Sequence, residues 1–149
     1  MIIYLATDHA GFNLKEKIKE LLTGLDYEIK DFGAFSFDSA DDYPDFIKPA
    51  AEAVSKDPEN SRAIVLGGSG QGEAMVANRY KGVRAAVLDI YNADVIKLSR
   101  EHNNANVLSL GARFLKEEEA LDAVKLWLET PFPGEERHKR RILKIDGVL

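Results

Sequence analysis

Glu73 closes a run of closely spaced glycines, Gly67-Gly68-Ser69-Gly70-Gln71-Gly72, the sharpest chemical feature of the chain. Glycines at this spacing let backbone N–H groups converge on an anion, and a helix starting there adds its positive end. A carboxylate beside such a nest can take a proton from carbon while the donors hold the oxyanion that forms. The same pattern also occurs as a tight strand–helix connection, with the Glu merely favouring the helix N-terminus. The run lacks the Lys-Ser/Thr of a nucleotide phosphate loop, and it comes too late in the chain for a dinucleotide fingerprint.

Three histidines accompany it. His9 follows Asp8 in the loop Thr7–Gly11, where it can donate to a sugar oxygen or a phosphate, or simply cap the loop. His102 stands beside Asn103 and Asn104 at the end of a periodic segment, as a sugar-oxygen acid/base or a helix cap. His138 sits among Arg137, Lys139, Arg140 and Arg141. Arg137 and Arg141 are four apart, so on a helix both can face one phosphate; a solvated basic helix is the plainer alternative. Arg113, just past the last apolar run, can complete an anion pocket. The absence of cysteine excludes disulfides, thiolate chemistry and Cys-ligated metals. Asp8, His9, Glu73 and His102 show no ligand spacing, so no metal site is expected.

The elements that must position these groups alternate. Short apolar runs at Ile2–Ala6, Tyr27–Phe32, Ala63–Leu66, Val83–Leu88 and Val107–Leu110 read as strands. Between them Asn13–Leu22 reads as a helix, with Leu14, Ile18, Leu21 and Leu22 on its apolar side and Lys15, Glu16, Lys17, Lys19 and Glu20 on the other. Further helices are expected at Tyr43–Ser55, with a doubtful boundary at Pro49, then Glu73–Arg79, Tyr91–His102, Glu117–Glu129 and Glu135–Ile145. Asp89 is a possible cap for the helix after the fourth strand. Buried strands alternating with helices predict a single-domain, three-layer α/β/α Rossmann-like fold around a parallel sheet of about five strands. One domain is expected over residues 1–149, with a basic helix at its end. In such sheets ligands gather beyond the carboxyl ends of the strands. The Asp8, glycine-run and Asp89 loops all lie there, whereas His102 precedes a strand and has to reach a neighbouring subunit's crevice if it belongs to the site.

Composition narrows the partners. With 45% hydrophobic and 30% charged residues the chain is neither disordered nor low in complexity. A net charge of −5 argues against broad nucleic-acid or membrane binding. No apolar stretch approaches the roughly 20 residues of a bilayer span, and Met1–Ala6 is too short for a signal-peptide core. A cytoplasmic location is expected.

Taken together, Asp8-His9-Ala10-Gly11, Asp42-Tyr43-Pro44, the Gly67–Glu73 run, Asn78, Arg100 to Asn106, Gly111-Ala112-Arg113 and Arg137 to Arg141 resemble the type B ribose-5-phosphate isomerase family. That family includes the galactose-6-phosphate isomerase subunits, and the resemblance covers nearly the whole chain. Many members carry a cysteine base at the position of Gly67. The chain is similar to the branch that has glycine there and uses the glutamate after the turn.

The resemblance implies an aldose–ketose isomerase without metal or redox cofactor. Glu73 would shuttle a proton between C1 and C2 through an enediol or enediolate, with Ser69 and the backbone of Gly70, Gln71 and Gly72 stabilising the oxyanion and Gly68 lining it. His102, supplied across a subunit boundary, would open the furanose ring, with Asn103 positioning hydroxyls. Asp8 would orient hydroxyls or assist ring opening, and Tyr43 would line the site. His9, Arg113, Arg137, His138 and Arg141 would bind phosphate. A homodimer with shared sites is implied, with further assembly into a tetramer left open. Conversion of a hexose 6-phosphate such as allose or galactose 6-phosphate, or a noncatalytic sugar-phosphate-binding role, are the alternatives. Only the catalytic readings need both Glu73 and His102.

Overall fold

The computed structural model describes residues 1–147. Within them the strands are β1 (Ile2–Thr7), β2 (Glu28–Asp31), β3 (Ser61–Gly67), β4 (Ala85–Leu88) and β5 (Val107–Gly111). The helices are α1 (Phe12–Gly24), α2 (Tyr43–Lys56), α3 (Gln71–Ala77), α4 (Ala93–Glu101), α5 (Glu117–Glu129) and α6 (Glu136–Ile145), with a single 3-10 turn, His9–Gly11, joining β1 to α1. All neighbouring strands pair in parallel, in the order β2-β1-β3-β5-β4. The chain leaves β1 for β2 and then crosses to the other side of β1 for β3. The carboxyl ends of β1 and β3 therefore flank a topological switch point, where such sheets open a crevice.

Both faces of the sheet are apolar, so both need covering. On one face Ile3, Leu5, Ile64, Leu66, Leu108 and Leu110 pack beneath α1, α4 and α5 through Ile18, Leu22, Ile96, Val124 and Trp127. On the other, smaller residues (Ala6, Ala63, Val65, Val107) meet Ile47, Ala50, Ala51 and Val54 of α2 and Ala77 of α3. Each fully buried Leu or Ile contributes about 1.5–3 kcal/mol relative to exposure, and these layers clamp the strand ends in place. No described helix is long and apolar enough to cross a membrane.

The expected fold is the one found, with local differences that have identifiable causes. Helix α2 runs straight through Pro49 to Lys56, while Pro44 occupies its first turn, where no amide bond is lost. Asn92, not Asp89, caps α4, its Oδ1 accepting from the N–H groups of Asp94 and Val95 at 3.0 and 3.2 Å. β4 starts at Ala85 rather than Val83 because side chains take the preceding backbone: Arg84 N–H donates to Asn106 Oδ1 at 2.8 Å. Lys15 is not on a solvated face. It is fully buried, donating to Asp31 Oδ2 at 2.6 Å, while Lys19 reaches the same oxygen at 2.9 Å. Burial pushes the Asp31 carboxyl up, but bonds from Lys15, the Gly33 N–H and Lys19 outweigh it and hold the group below its ordinary value. That ionic knot anchors the start of the loop leading to Tyr43.

Candidate active site

The glycine run lies at the switch point. β3 ends at Gly67, and Gly70, at φ +77°, turns the chain into α3. A side chain at Gly70 would also strike the β5 backbone, its Cβ falling 3.0 Å from the Leu110 carbonyl carbon. β5 ties the turn down: buried Ser109 donates through its hydroxyl to the Gly70 carbonyl at 2.6 Å. The Ala112 and Arg113 N–H groups donate to the Gly67 and Gly68 carbonyls at 2.8 and 3.1 Å. Gln71 N–H donates to Ser69 Oγ at 3.3 Å, so the Ser69 proton remains available to a ligand oxygen.

Glu73, the third residue of α3, is only 4% exposed. Its carboxylate folds back over Gly67: a Cβ built there would lie 2.5 Å from Oε2 and closer still to Oε1 and Cδ. Gly67 is therefore the room in which the carboxylate sits. Burial raises the Glu73 pKa above its ordinary value, the nearby Asp8 charge adds to the rise, and the residue's own backbone N–H opposes it. No Lys or Arg pairs with Glu73 among the described residues. A buried carboxylate without a cation is a stronger proton acceptor than a solvated one.

Opposite it stands the β1 loop. Thr7, fully buried, directs its hydroxyl to the Leu66 and Asp8 carbonyls, locking the two strand ends together. Asp8 accepts from the Ala10 N–H through Oδ1 at 2.9 Å, which leaves Oδ2 for other partners. His9 Nδ1 lies 2.6 Å from Asp41 Oδ1. Tyr43, at the start of α2, packs on Gly72 so closely that a Cβ there would fall 2.6 Å from its Cζ and its hydroxyl oxygen. The Arg113 guanidinium lies over Gly68, its Nη1 3.1 Å from a Cβ built there. Gln71 extends to Asp89 Oδ2 at 3.5 Å, and Asp89 itself rests beside Gly111. Asp8, His9, Tyr43, Gly68, Ser69, Gly70, Gln71, Gly72, Glu73 and Arg113 thus gather at one end of the sheet.

The remaining candidates do not join them. Helix α4 runs back from β4, so His102 and Asn103 emerge at the amino edge of the sheet, just before β5. Asn104 turns the chain there at φ +45°, held by buried Arg100, which donates to Asn104 Oδ1 at 2.8 Å and to the Ala105 carbonyl at 2.5 Å. Burial, together with neighbouring Arg62 and Arg84, pushes Arg100 down to about 10. His138 stacks on His102 with ring centroids 4.3 Å apart and is 2% exposed, its Nε2 without a hydrogen bond. It lies beneath His102 instead of standing open among the arginines, and burial followed by the His102 charge lowers its pKa. Arg137 and Arg141 are exposed on the same α6. The chain therefore carries two groups of candidate residues, at opposite edges of the sheet.

Asp8, His9 and Asp41 could present ligand atoms within 4.8 Å of one another to a metal, but the short Nδ1–Asp41 bond already occupies the ring nitrogen on that side. A cavity of about 620 Å³ lies away from Glu73, at the amino edge between Asn78, Arg79, Tyr80, Arg84 and Asn103. Three contributors escaped the sequence reading as site residues. Ser109 is a lone polar residue inside an apolar strand, which was a usable signal. Asp41 precedes Asp42 in an acidic loop, and nothing local marks it. Thr7 ends β1 and reveals its role only through Leu66, a residue of another strand.

The model of the Ribose/Galactose Isomerase family matches residues 3–145. Ribose-5-phosphate isomerase B of Mycolicibacterium paratuberculosis is 44% identical over 142 residues, covering 95% of this chain and 87% of that protein. The crystal structure of ribose-5-phosphate isomerase B from Mycoplasma genitalium with bound ribulose-5-phosphate superimposes with a TM-score of 0.93 at 40% identity, covering 98% of this chain and 94% of that one. The ribose 5-phosphate isomerase from Thermotoga maritima gives 0.90 at 44% identity, over 99% and 98% of the two chains.

Proposed function

The chain belongs to the ribose/galactose isomerase family, and on that footing we propose that it interconverts D-ribose 5-phosphate and D-ribulose 5-phosphate. The observation that carries this reading is the buried Glu73 carboxylate seated against Gly67 beside the Ser69–Gly72 turn. Glu73 removes the proton from C2 of the open-chain aldose, and the C–H electron pair forms the C1–C2 double bond as the carbonyl becomes an enediolate oxygen. The Ser69 hydroxyl and the backbone N–H groups of the turn stabilise that charge. The same carboxyl then returns the proton to C1 while the C2 hydroxyl proton passes to O1, leaving a C2 carbonyl and a C1 hydroxyl, so the exchange is redox-neutral within one molecule. Asp8 orients sugar hydroxyls, and Tyr43 walls the pocket against Gly72. Arg113 and His9 lie on the same side for phosphate or hydroxyl oxygens.

His102 opens the ring, Asn103 positions hydroxyls, and Arg137 and Arg141 bind the phosphate, all from a second copy in a homodimer. Two features favour that arrangement. The half-sites lie at opposite edges of one protomer, and Met75, Ile90, Val95 and Leu98 leave an exposed apolar surface around the β4 edge. A two-fold assembly brings a basic amino edge to each acidic crevice and completes two sites at once. His138 backs His102 from below in this reading. The domain spans the chain, and a phosphorylated small-molecule substrate fits a cytoplasmic enzyme.

The direct test is turnover by the purified protein, with ribose 5-phosphate and allose 6-phosphate compared under identical conditions and products identified. Preferential formation of ribulose 5-phosphate is expected, whereas a strong preference for the hexose would reassign the substrate. Sharing of sites has its own test. Glu73→Gln and His102→Ala proteins, each inactive, are expected to regain about a quarter of wild-type activity when co-refolded, because random pairing gives roughly half heterodimers with one intact site each. A mixture no more active than its parents would rule the shared site out.

A further inference from the structure

Asp41 has no place in the proton-transfer chemistry, yet its side chain holds His9 through two contacts. Its Oδ1 is 2.6 Å from His9 Nδ1 and accepts the His9 backbone N–H at 3.1 Å. The carboxylate is 8% exposed, and its Oδ2 is buried without any hydrogen-bond partner. A carboxylate is only an acceptor, so the short bond requires the proton on Nδ1. The Nδ1 side of the ring also faces Asp8, whose Oδ2 is 4.0 Å away, and Phe37 meets the ring edge-on at 5.9 Å. Nε2 makes no hydrogen bond to the described residues, and the His9 side chain keeps 22% of its surface open.

We propose that Asp41 is a positioning residue for His9: it fixes the ring and its Nδ1–H tautomer, so that Nε2 is the polar atom presented to the substrate. The carboxylate does for the imidazole what a hydrogen-bonded partner does in other sites that need a defined ring nitrogen. Its placement also has a mechanical side. Asp41 lies near the end of the loop that Asp31 and Lys15 anchor at its start, one residue before the Asp42 cap of the helix that begins at Tyr43. One residue thereby holds the β1 loop and the α2 entrance in register across the crevice. The role concerns binding, because among the described residues neither Glu73 nor the oxyanion turn is hydrogen-bonded to Asp41 or His9, and it rests on the isomerase reading for the identity of the substrate.

Nitrogen-15 spectra of histidine-labelled protein at alkaline pH decide the tautomer, with only three histidines present and a His9→Gln spectrum assigning the ring. Wild-type protein is expected to show His9 protonated at Nδ1 and bare at Nε2, and Asp41→Asn, which keeps an acceptor oxygen, is expected to match it. Asp41→Ala is expected to shift the ring towards the Nε2–H form and to raise KM for ribose 5-phosphate about fivefold, with kcat changed less than about twofold. An Nε2–H ring in the wild type, an unchanged tautomer in Asp41→Ala, or a switched tautomer with unchanged KM would each overturn the proposal. The wild-type spectrum needs no variant to fold. Absence of ribose 5-phosphate turnover by the wild type would overturn the functional reading instead, while the spectra still decide whether Asp41 sets the ring.

Discussion

Glu73→Gln is expected to lower kcat for ribose 5-phosphate by about a thousandfold, within the range for loss of a general base, while making the protein more heat-stable at neutral pH. The first effect follows from chemistry: the amide keeps the shape and the hydrogen bonds but cannot accept the carbon-bound proton. The second follows from the electrostatics of the site. Burial, then the Asp8 charge, raise the folded-state pKa of Glu73 above its value in the unfolded chain, against the pull of its own N–H. The folded protein thus binds this proton more tightly than the unfolded one. The corresponding stability is present at acid pH and is lost as pH rises through the interval up to the raised value. Gln never ionises and escapes the loss, so the melting midpoint of the variant is expected to exceed that of the wild type at neutral pH and to converge with it in acid. Calorimetry across pH, alongside initial rates, checks both. Turnover within tenfold of wild type would remove Glu73 as the base, and a destabilised variant at neutral pH would mean that the carboxylate has a compensating partner.

Gly67→Ala is expected to cost at least about a hundredfold in kcat with KM within about threefold, although no atom of residue 67 takes part in the reaction. The added methyl would occupy the position now filled by the Glu73 carboxylate, 2.5 Å from Oε2 and closer to the rest of the group. Gly67 is not in the left-handed region, so alanine is compatible with the backbone itself. The fold is expected to survive, and the carboxylate must swing away from the turn proposed to hold the enediolate. A double-mutant cycle isolates the cause: Gly67→Ala should destabilise the protein when Glu73 is present and be nearly neutral in a Glu73→Ala background. Equal effects in both backgrounds would place the cost in the backbone and not in the overlap. Any side chain at position 67 and the Glu73 carboxylate, six residues apart in sequence, compete for one volume.

Much of this protein was legible in its residues. The alternation of short apolar runs with helical periodicity forced a covered parallel sheet, because strands apolar on both sides have no other way to leave water. The glycines announced the turn, since few other residues allow such close backbone approach, and their neighbours marked Glu73 and His102 as candidate reacting groups. What the linear pattern could not carry was distance between elements. Lys15 looked like one more charge on a solvated helix face until Asp31, on another strand, gave it a buried partner. His138 looked like a member of a basic cluster, and packing put it under His102. Asp41 acquired its connection to His9 only when the β1 loop and the α2 entrance met across the crevice. The sequence alone determined the sheet and the glycine turn, because these depend on local periodicity and backbone freedom. Tertiary structure alone decided that Glu73 rests in the space of Gly67 and that His102 lies at the far edge of the sheet, because strand order and helix direction set those positions.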